Sequence, residues 1–188
     1  SFGQHLAESG IKGIDYNSFA RGVEAMCEHK PLEIDIQEAQ QLLNTYFTKL
    51  QEEKEAASAD KRKAGEEFLK ENAKREGVKT LDSGLQYESI TEGKGAIPTA
   101  NDKVKVHYHG TLIDGTVFDS SVKRGEPAVF GVTQVIQGWV EALQLMPVGS
   151  KWKLFIPYNL AYGERGAGSM IEPYSALIFE VELLDIVK

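Results

Sequence analysis

Cysteine is nearly absent from this chain: Cys27 is the only one. That excludes an intrachain disulfide and a four-cysteine zinc site. No histidine is placed to pair with it as a nucleophile. Its apolar neighbours predict a buried thiol on a helix. Histidine is scarce too, with four residues. No apolar run approaches the ~20 residues of a membrane-spanning helix. Cationic residues number 21 against 28 acidic ones, a net charge of −7. A negative surface disfavours a general role on nucleic acid or on anionic membranes, which repel it. The chain starts at Ser1 with neither a methionine nor a charged-then-apolar leader, as a trimmed or mature form would. One unpaired cysteine fits the cytoplasm slightly better than the periplasm and does not separate the two.

Proline is also missing from most of the first half. Only Pro31 occurs in residues 1–77, and the apolar residues there recur at helical spacing. Asp15 is placed as an N-cap, with Ile14 and Phe19 as a hydrophobic staple across it. Tyr16, Phe19, Ala20, Val23 and Cys27 then form one apolar stripe. Asp35 with Glu38 resembles a capping box, opening a helix of about forty residues, roughly 60 Å long at ~1.5 Å per residue. Its first half is apolar, through Ala39, Leu42, Leu43, Tyr46, Phe47 and Leu50. Residues 51–67 are mostly Glu, Lys, Arg and Ala, which favour helix but bury little. Lys74 and Arg75 suit a helix C-terminus and Gly77 suits the C′ position. The apolar stripes need a partner, and a second copy of the chain is the simplest. The alternative is that they fold back on the rest of the chain.

From Val78 the spacing changes to period two, with Gly and Pro punctuation. Strands are predicted near residues 85–87, over 103–108, over 151–156 and over 176–184. Asp114-Gly115 marks a tight turn between two more strand segments. One short helix is predicted over residues 138–145. The fold class is α+β: an antiparallel sheet packed on one short helix, preceded by an all-helical region. The predicted division is a helical segment, 1–77, and a second domain, 78–188.

His107 and His109 lie two apart on one strand and so share a face. A metal would favour that, but Lys103 and Lys105 line the same face and no carboxylate or cysteine completes a ligand set. No metal or other cofactor is predicted. Tyr108, between them, points the other way. Around it the sequence supplies Phe118-Asp119, Val135-Ile136, Trp139, Tyr162 and Phe179, mostly beside loop signals. An aromatic pocket with a few polar groups is the usual form of a small-ligand site. Periodicity alone also allows these residues simply to fill a small core. Other chemistries lack their motifs. The loop Gly163-Glu-Arg-Gly-Ala-Gly-Ser169 has no Gly-Lys-Ser/Thr ending, so it is no phosphate cradle. No Gly-x-Ser-x-Gly nucleophile elbow occurs. Asp114 belongs to its turn and makes no hydrolase pair with Asp119.

Taken in order, Val106-His-Tyr-x-Gly110, Gly115-Thr-x-Phe-Asp-Ser-Ser121, Val135-Ile-x-Gly-Trp139, Met146-Pro-Val-Gly149, Leu160-Ala-Tyr-Gly163 and Leu177-Ile-Phe-Glu-Val-Glu-Leu183 resemble the FKBP-type peptidyl-prolyl cis-trans isomerases. The match covers about residues 79–188. The helical part is similar to the bacterial dimeric branch, the macrophage infectivity potentiator-like proteins. The resemblance implies isomerisation of Xaa-Pro bonds in peptides and unfolded protein clients, chaperone activity, and a V-shaped homodimer with intertwined N-terminal helices. Macrolides such as rapamycin become candidate ligands. The implied catalytic residues are Tyr108, Phe118, Asp119, Trp139, Tyr162 and Phe179. Val135, Ile136, Phe130, Arg124 and Ile171 are implied for substrate binding, with Arg124 positioning Asp119 and Tyr108, and Ile171 on a flap loop. The Ile136 N–H and the Tyr162 hydroxyl would hydrogen-bond the ligand's carbonyls. Ala128, Ala167 and Glu172 depart from the best-known single-domain members, which have phenylalanine, histidine and proline there. Those changes bear on sequence preference and inhibitor affinity. Two rival readings are a client-holding chaperone and a proline-binding module with little turnover.

Overall fold

The structure is a computed structural model that describes residues 1–187. The chain divides into two compact units, Ser1–Glu52 and Glu53–Lys188. The packing division therefore falls inside a helix, whereas the sequence pattern changes at Val78.

The first unit is helical: α1 (Phe2–Glu8), α2 (Tyr16–Cys27) and the start of α3 (Ile36–Asn72). Asp15 caps α2 as its sequence position predicts, accepting from the Ser18 N–H at 2.8 Å. The hydrogen bond holds its carboxyl below the usual range, the backbone donor of Ser18 being the main cause. Asp35 opens α3 in the same way, accepting from the Gln37 N–H at 2.8 Å. The Tyr46 hydroxyl accepts from the Lys12 N–H at 3.2 Å and ties the loop before α2 to α3. Nothing in α2 is buried. Tyr16, Val23, Met26, Leu42, Leu43 and Phe47 are all exposed. Cys27 is exposed as well, not buried as its neighbours suggest.

The second unit holds the rest of α3 and an antiparallel sheet in the order β1-β2-β6-β7-β3-β4, with β5 also paired to β3. These strands are β1 (Val78–Thr80), β2 (Gln86–Thr91), β3 (Lys103–Leu112), β4 (Val117–Ser120), β5 (Ala128–Gly131), β6 (Lys151–Ile156) and β7 (Leu177–Val187). The short helix α5 (Gln137–Leu143) and a single-turn helix α4 (Ser121–Arg124) complete it. Strict alternation in β3 buries Val104, Val106 and Tyr108 and leaves Lys103 and Lys105 exposed. Those residues join Trp139, Ala142 and Leu143 of α5 and Val181 and Leu183 of β7 in one core. The hairpin at Asp114-Gly115 forms as predicted, with Gly115 at φ 88°, a value that costs glycine nothing.

The opposite face of the sheet is covered by the end of α3. Phe155 of β6 points there, and the Phe68 ring lies 6.2 Å from it. α3 stops at Asn72, five residues before Gly77, so Gly77 is not its C′ residue. Buried side chains take over the end instead. The Asn72 amide donates to Gln86 Oε1 at 2.8 Å, and the Gln86 amide donates to the Leu69 carbonyl at 2.8 Å. Sequence spacing read residues 51–67 as a face with little to bury. Lys61 is in fact half-buried and Gly65 buried.

Candidate active site

On the core side of the sheet a cleft of about 770 Å³ opens between β3, β4, β7, α5 and the loop after β6. Tyr108, Phe118, Asp119, Trp139, Tyr162 and Phe179 all line it. So do Phe130, Val135, Ile136 and Ile171. Arg124 does not line the cleft but reaches two residues that do. The structure adds Gln134 and the loop residues 167–170 to the wall. Nothing in periodicity marks Gln134. In the glycine-rich loop the sequence already marked Tyr162, Ile171 and the Ala167 departure, and it missed Gly168, Ser169 and Met170.

Trp139 sits at the centre. Its ring meets Tyr108, Phe179 and Phe130 edge-on, at 5.4, 5.2 and 5.9 Å between centroids. Phe118 meets Phe179 edge-on at 5.3 Å. Edge-to-face packing is the preferred geometry of such rings. It also leaves ring faces and edges turned into the cleft. Gly110 of β3 makes room for this arrangement, since a Cβ there would lie 2.7 Å from both the Phe118 and Phe179 rings.

The polar side is a closed triangle. The Tyr108 hydroxyl donates to Asp119 Oδ2 at 2.6 Å. Arg124 donates to that hydroxyl at 2.8 Å and to Asp119 Oδ1. Burial pushes the Tyr108 phenol above its usual pKa, and its bond to Asp119 adds to the effect. For Asp119 burial acts upward, but the bonds from Tyr108 and Arg124 together outweigh it and hold the carboxylate below its usual range. Its partners also raise the Arg124 pKa, Tyr108 first and Asp119 second. Within the triangle the Asp119 carboxylate is paired with the Arg124 guanidinium and satisfied by the Tyr108 hydroxyl, an arrangement poorly suited to proton transfer. Burial raises the Tyr162 pKa too, helped by the Asp119 charge. Among the described residues, the Tyr162 hydroxyl and the Ile136 N–H have no hydrogen-bond partner, so both donors are available.

The Asp119-Ser120-Ser121 run explains how the triangle is held. Ser120 caps α4 by accepting from the Lys123 N–H at 3.2 Å, which fixes the turn that carries Arg124. Ser121, fully buried, accepts from the Tyr108 N–H at 2.8 Å and stitches α4 to β3. His107 and His109 face away from the cleft and each pairs with one of these serines, at 3.0 and 2.9 Å. Of the departures from the single-domain pattern, Ala167 lies in the wall and Ala128 packs against the core. Glu172 pairs with Lys61 of α3 at 3.1 Å.

Comparison with known proteins agrees with this geometry. Residues 94–184 match the family model described as FKBP-type peptidyl-prolyl cis-trans isomerase. Residues 1–88 match the model of the domain amino terminal to it. The chain is 50% identical over 190 residues to the FKBP-type 22 kDa peptidyl-prolyl cis-trans isomerase of Escherichia coli, covering 98% of this chain and 89% of that protein. It is 44% identical over 183 residues to the outer membrane protein MIP of Legionella longbeachae, covering 94% and 78%. The crystal structure of FkpA from Escherichia coli superposes with a TM-score of 0.75 at 40% identity, over 97% of this chain and 86% of that one. Similarity of that extent through both units leaves one assignment. The chain belongs to the FKBP-type peptidyl-prolyl cis-trans isomerases, enzymes that act on proline-containing peptides, and it carries the amino-terminal domain of their macrophage infectivity potentiator-like branch.

Proposed function

We propose that the aromatic cleft isomerises Xaa-Pro bonds by binding the twisted amide better than the planar one. The observation that carries this reading is a cleft walled by rings, whose one carboxylate is already paired. Rotation about the bond faces a barrier of about 18–20 kcal/mol because it breaks amide resonance. No bond is cleaved, so neither nucleophile nor general base is needed. The twisted carbonyl carries less charge than the planar one and loses less on leaving water. An apolar cleft shaped to it binds the transition state preferentially, which is catalysis. In this reading Trp139 is the floor beneath the proline ring, with Tyr108, Phe118 and Phe179 as walls. Val135 and Phe130 close the edge, and Ile171 covers from the loop. The Ile136 N–H and the Tyr162 hydroxyl donate to substrate carbonyls on either side of the bond. Arg124 keeps Asp119 and Tyr108 in place. Rapamycin and related macrolides compete for the same surface.

The exposed apolar face of the first unit supports a second element of the function. Leu42, Leu43 and Phe47 lie on one stretch of α3 and are exposed. An apolar patch of this kind is an interaction surface. A second copy covers it, giving a homodimer whose helical arms hold unfolded clients near the clefts.

Proline-limited isomerisation of a short Xaa-Pro peptide, with and without rapamycin, tests both parts when run on two chains. The wild-type chain is expected to catalyse and to be blocked by rapamycin. A chain with Leu42→Glu, Leu43→Glu and Phe47→Glu is expected to be monomeric by light scattering, active on the peptide, and defective on a protein client. Catalysis that rapamycin leaves untouched would move the reaction out of this cleft. A triple variant that stays dimeric would refute the proposed interface.

A further inference from the structure

Six residues of the 53–72 stretch escape full exposure: Ser58, Lys61, Gly65, Phe68, Leu69 and Asn72. They recur every three or four positions, so this half of α3 turns one continuous face to the rest of its own unit. The end of that face packs on β6, through Phe68 and Phe155. The turns before it meet a different target, the loop between β6 and β7. Lys61 Nζ lies 3.1 Å from Glu172 Oε2. The Arg62 guanidinium sits 5.5 Å from the centre of the Tyr158 ring. Gly65 comes so close that a Cβ there would lie 3.2 Å from the Ala176 Cβ. Glycine inside a helix is destabilising relative to alanine. Here its bare backbone is what allows the helix to approach the loop.

The same loop supplies Tyr162 and residues 167–171 to the cleft. It is internally stiff. The Tyr174 N–H donates to the Gly163 carbonyl at 3.0 Å, and Ala167 and Ile171 exchange backbone bonds of 2.8 and 3.2 Å. Tyr174 meets Tyr158 edge-on at 5.0 Å, with its backbone at φ 61°. A side chain this bulky stays in the left-handed region only where its surroundings hold it there. These contacts join the part of the loop touched by α3 to the part that faces the cleft. The end touched by α3 is Tyr158, Glu172 and Ala176, and the end facing substrate is Tyr162 and Ile171.

We propose that the second half of α3 is a positioning element for the substrate loop, with Lys61, Arg62 and Gly65 as positioning residues that set how the loop presents Tyr162 and Ile171 to the peptide. The proposal rests on the reading of the cleft as the Xaa-Pro site. It assigns to a polar helix face a part in substrate capture, while turnover of bound substrate stays with the aromatic walls.

The test separates KM from kcat for a short Xaa-Pro peptide at low ionic strength. Lys61→Glu sets two carboxylates against each other and is expected to raise KM about two- to five-fold, the range open to an exposed pair, with kcat unchanged. Combining Lys61→Glu with Glu172→Lys restores the attraction and should return KM to the wild-type value. Added salt should shrink the Lys61→Glu defect. Gly65→Ala, which favours helix but crowds the loop, should also raise KM, and Ala176→Gly in the same chain should relieve it. A Lys61→Glu chain with wild-type KM, or a raised KM that the charge swap fails to restore, overturns the proposal. So does a loss confined to kcat. Asp119→Leu serves as the control. If it turns over normally, the reading of the cleft fails; if it is impaired while Lys61→Glu is not, only the role of α3 fails.

Discussion

Leu42 and Leu154 are the same residue in opposite circumstances. Leu154, on β6, is 1% exposed inside a core that the second unit closes by itself. Leu42, on the first turns of α3, is 57% exposed. Both occupy regular apolar patterns in the sequence, one at period two and the other at helical spacing. Periodicity therefore tells which face of an element will be covered, and it is silent on what does the covering. In the second unit the cover is local. In the first the apolar residues stay exposed within the unit, and the proposed cover is a second copy.

The largest effect that can break this contrast is on stability. Leu154→Ala is expected to cost about 2–5 kcal/mol in chemical unfolding, the cost of deleting a buried leucine side chain. Leu42→Ala, as an exposed substitution, is expected to cost less than about 0.5 kcal/mol in a dilute chain. If the Leu42→Ala cost grows with protein concentration, a second copy is the cover, because association stabilises by mass action. If both variants cost the same at every concentration, the contrast is wrong and Leu42 is buried within one chain.

The next effect is on activity. Asp119→Leu removes the acceptor that both Tyr108 and Arg124 share, and it is expected to lower peptide turnover by at least about ten-fold, or roughly 1.4 kcal/mol of transition-state stabilisation. Tyr108→Phe keeps the ring and loses the hydroxyl's two hydrogen bonds, to Asp119 and from Arg124, for an expected loss of about two- to five-fold. The measurement is kcat/KM on one peptide for both variants. An order reversed between them would mean that the phenol, not the carboxylate, organises the site. Neither substitution touches the first unit, so the oligomeric state should not change.

How far the sequence disclosed these features follows from their physics. The β3 alternation, the Asp-Gly hairpin and the two helix caps are local signals, and each lies where its residues place it. The aromatic site residues were legible because large rings beside loop signals are unusual, and resemblance to a family gave them an order. β1, β5 and α4, of three or four residues each, carry too little pattern to be seen. The end of α3 was placed too late, at Gly77, because Asn72 and Gln86 close it through side chains that are distant in sequence. Its second half was misjudged for a related reason. A face built of Ser58, Lys61 and Gly65 registers as polar on any hydrophobicity scale, although the gap left by a glycine is what packs. Cys27 was expected inside and lies outside, because an apolar stripe marks a face without saying what covers it.

The smallest effect is the most specific. Asp119 has its pKa below the ordinary 3.8, so it is charged in the folded chain throughout the neutral range. A depressed folded value means that its contribution is complete above the unfolded pKa of about 3.9 and is lost as pH falls through the folded one. The raised phenols of Tyr108 and Tyr162 work in the opposite sense. They stay protonated through the ordinary value of 10.0, and what they contribute is lost only above it. No group in the cleft changes charge between these limits. Peptide isomerisation is therefore expected to vary by less than about two-fold between about pH 5 and about pH 9. A step inside that range would mean that a group outside the aromatic wall governs how Asp119 and Arg124 are held, and that the Tyr108–Asp119–Arg124 triangle does not fix the site by itself.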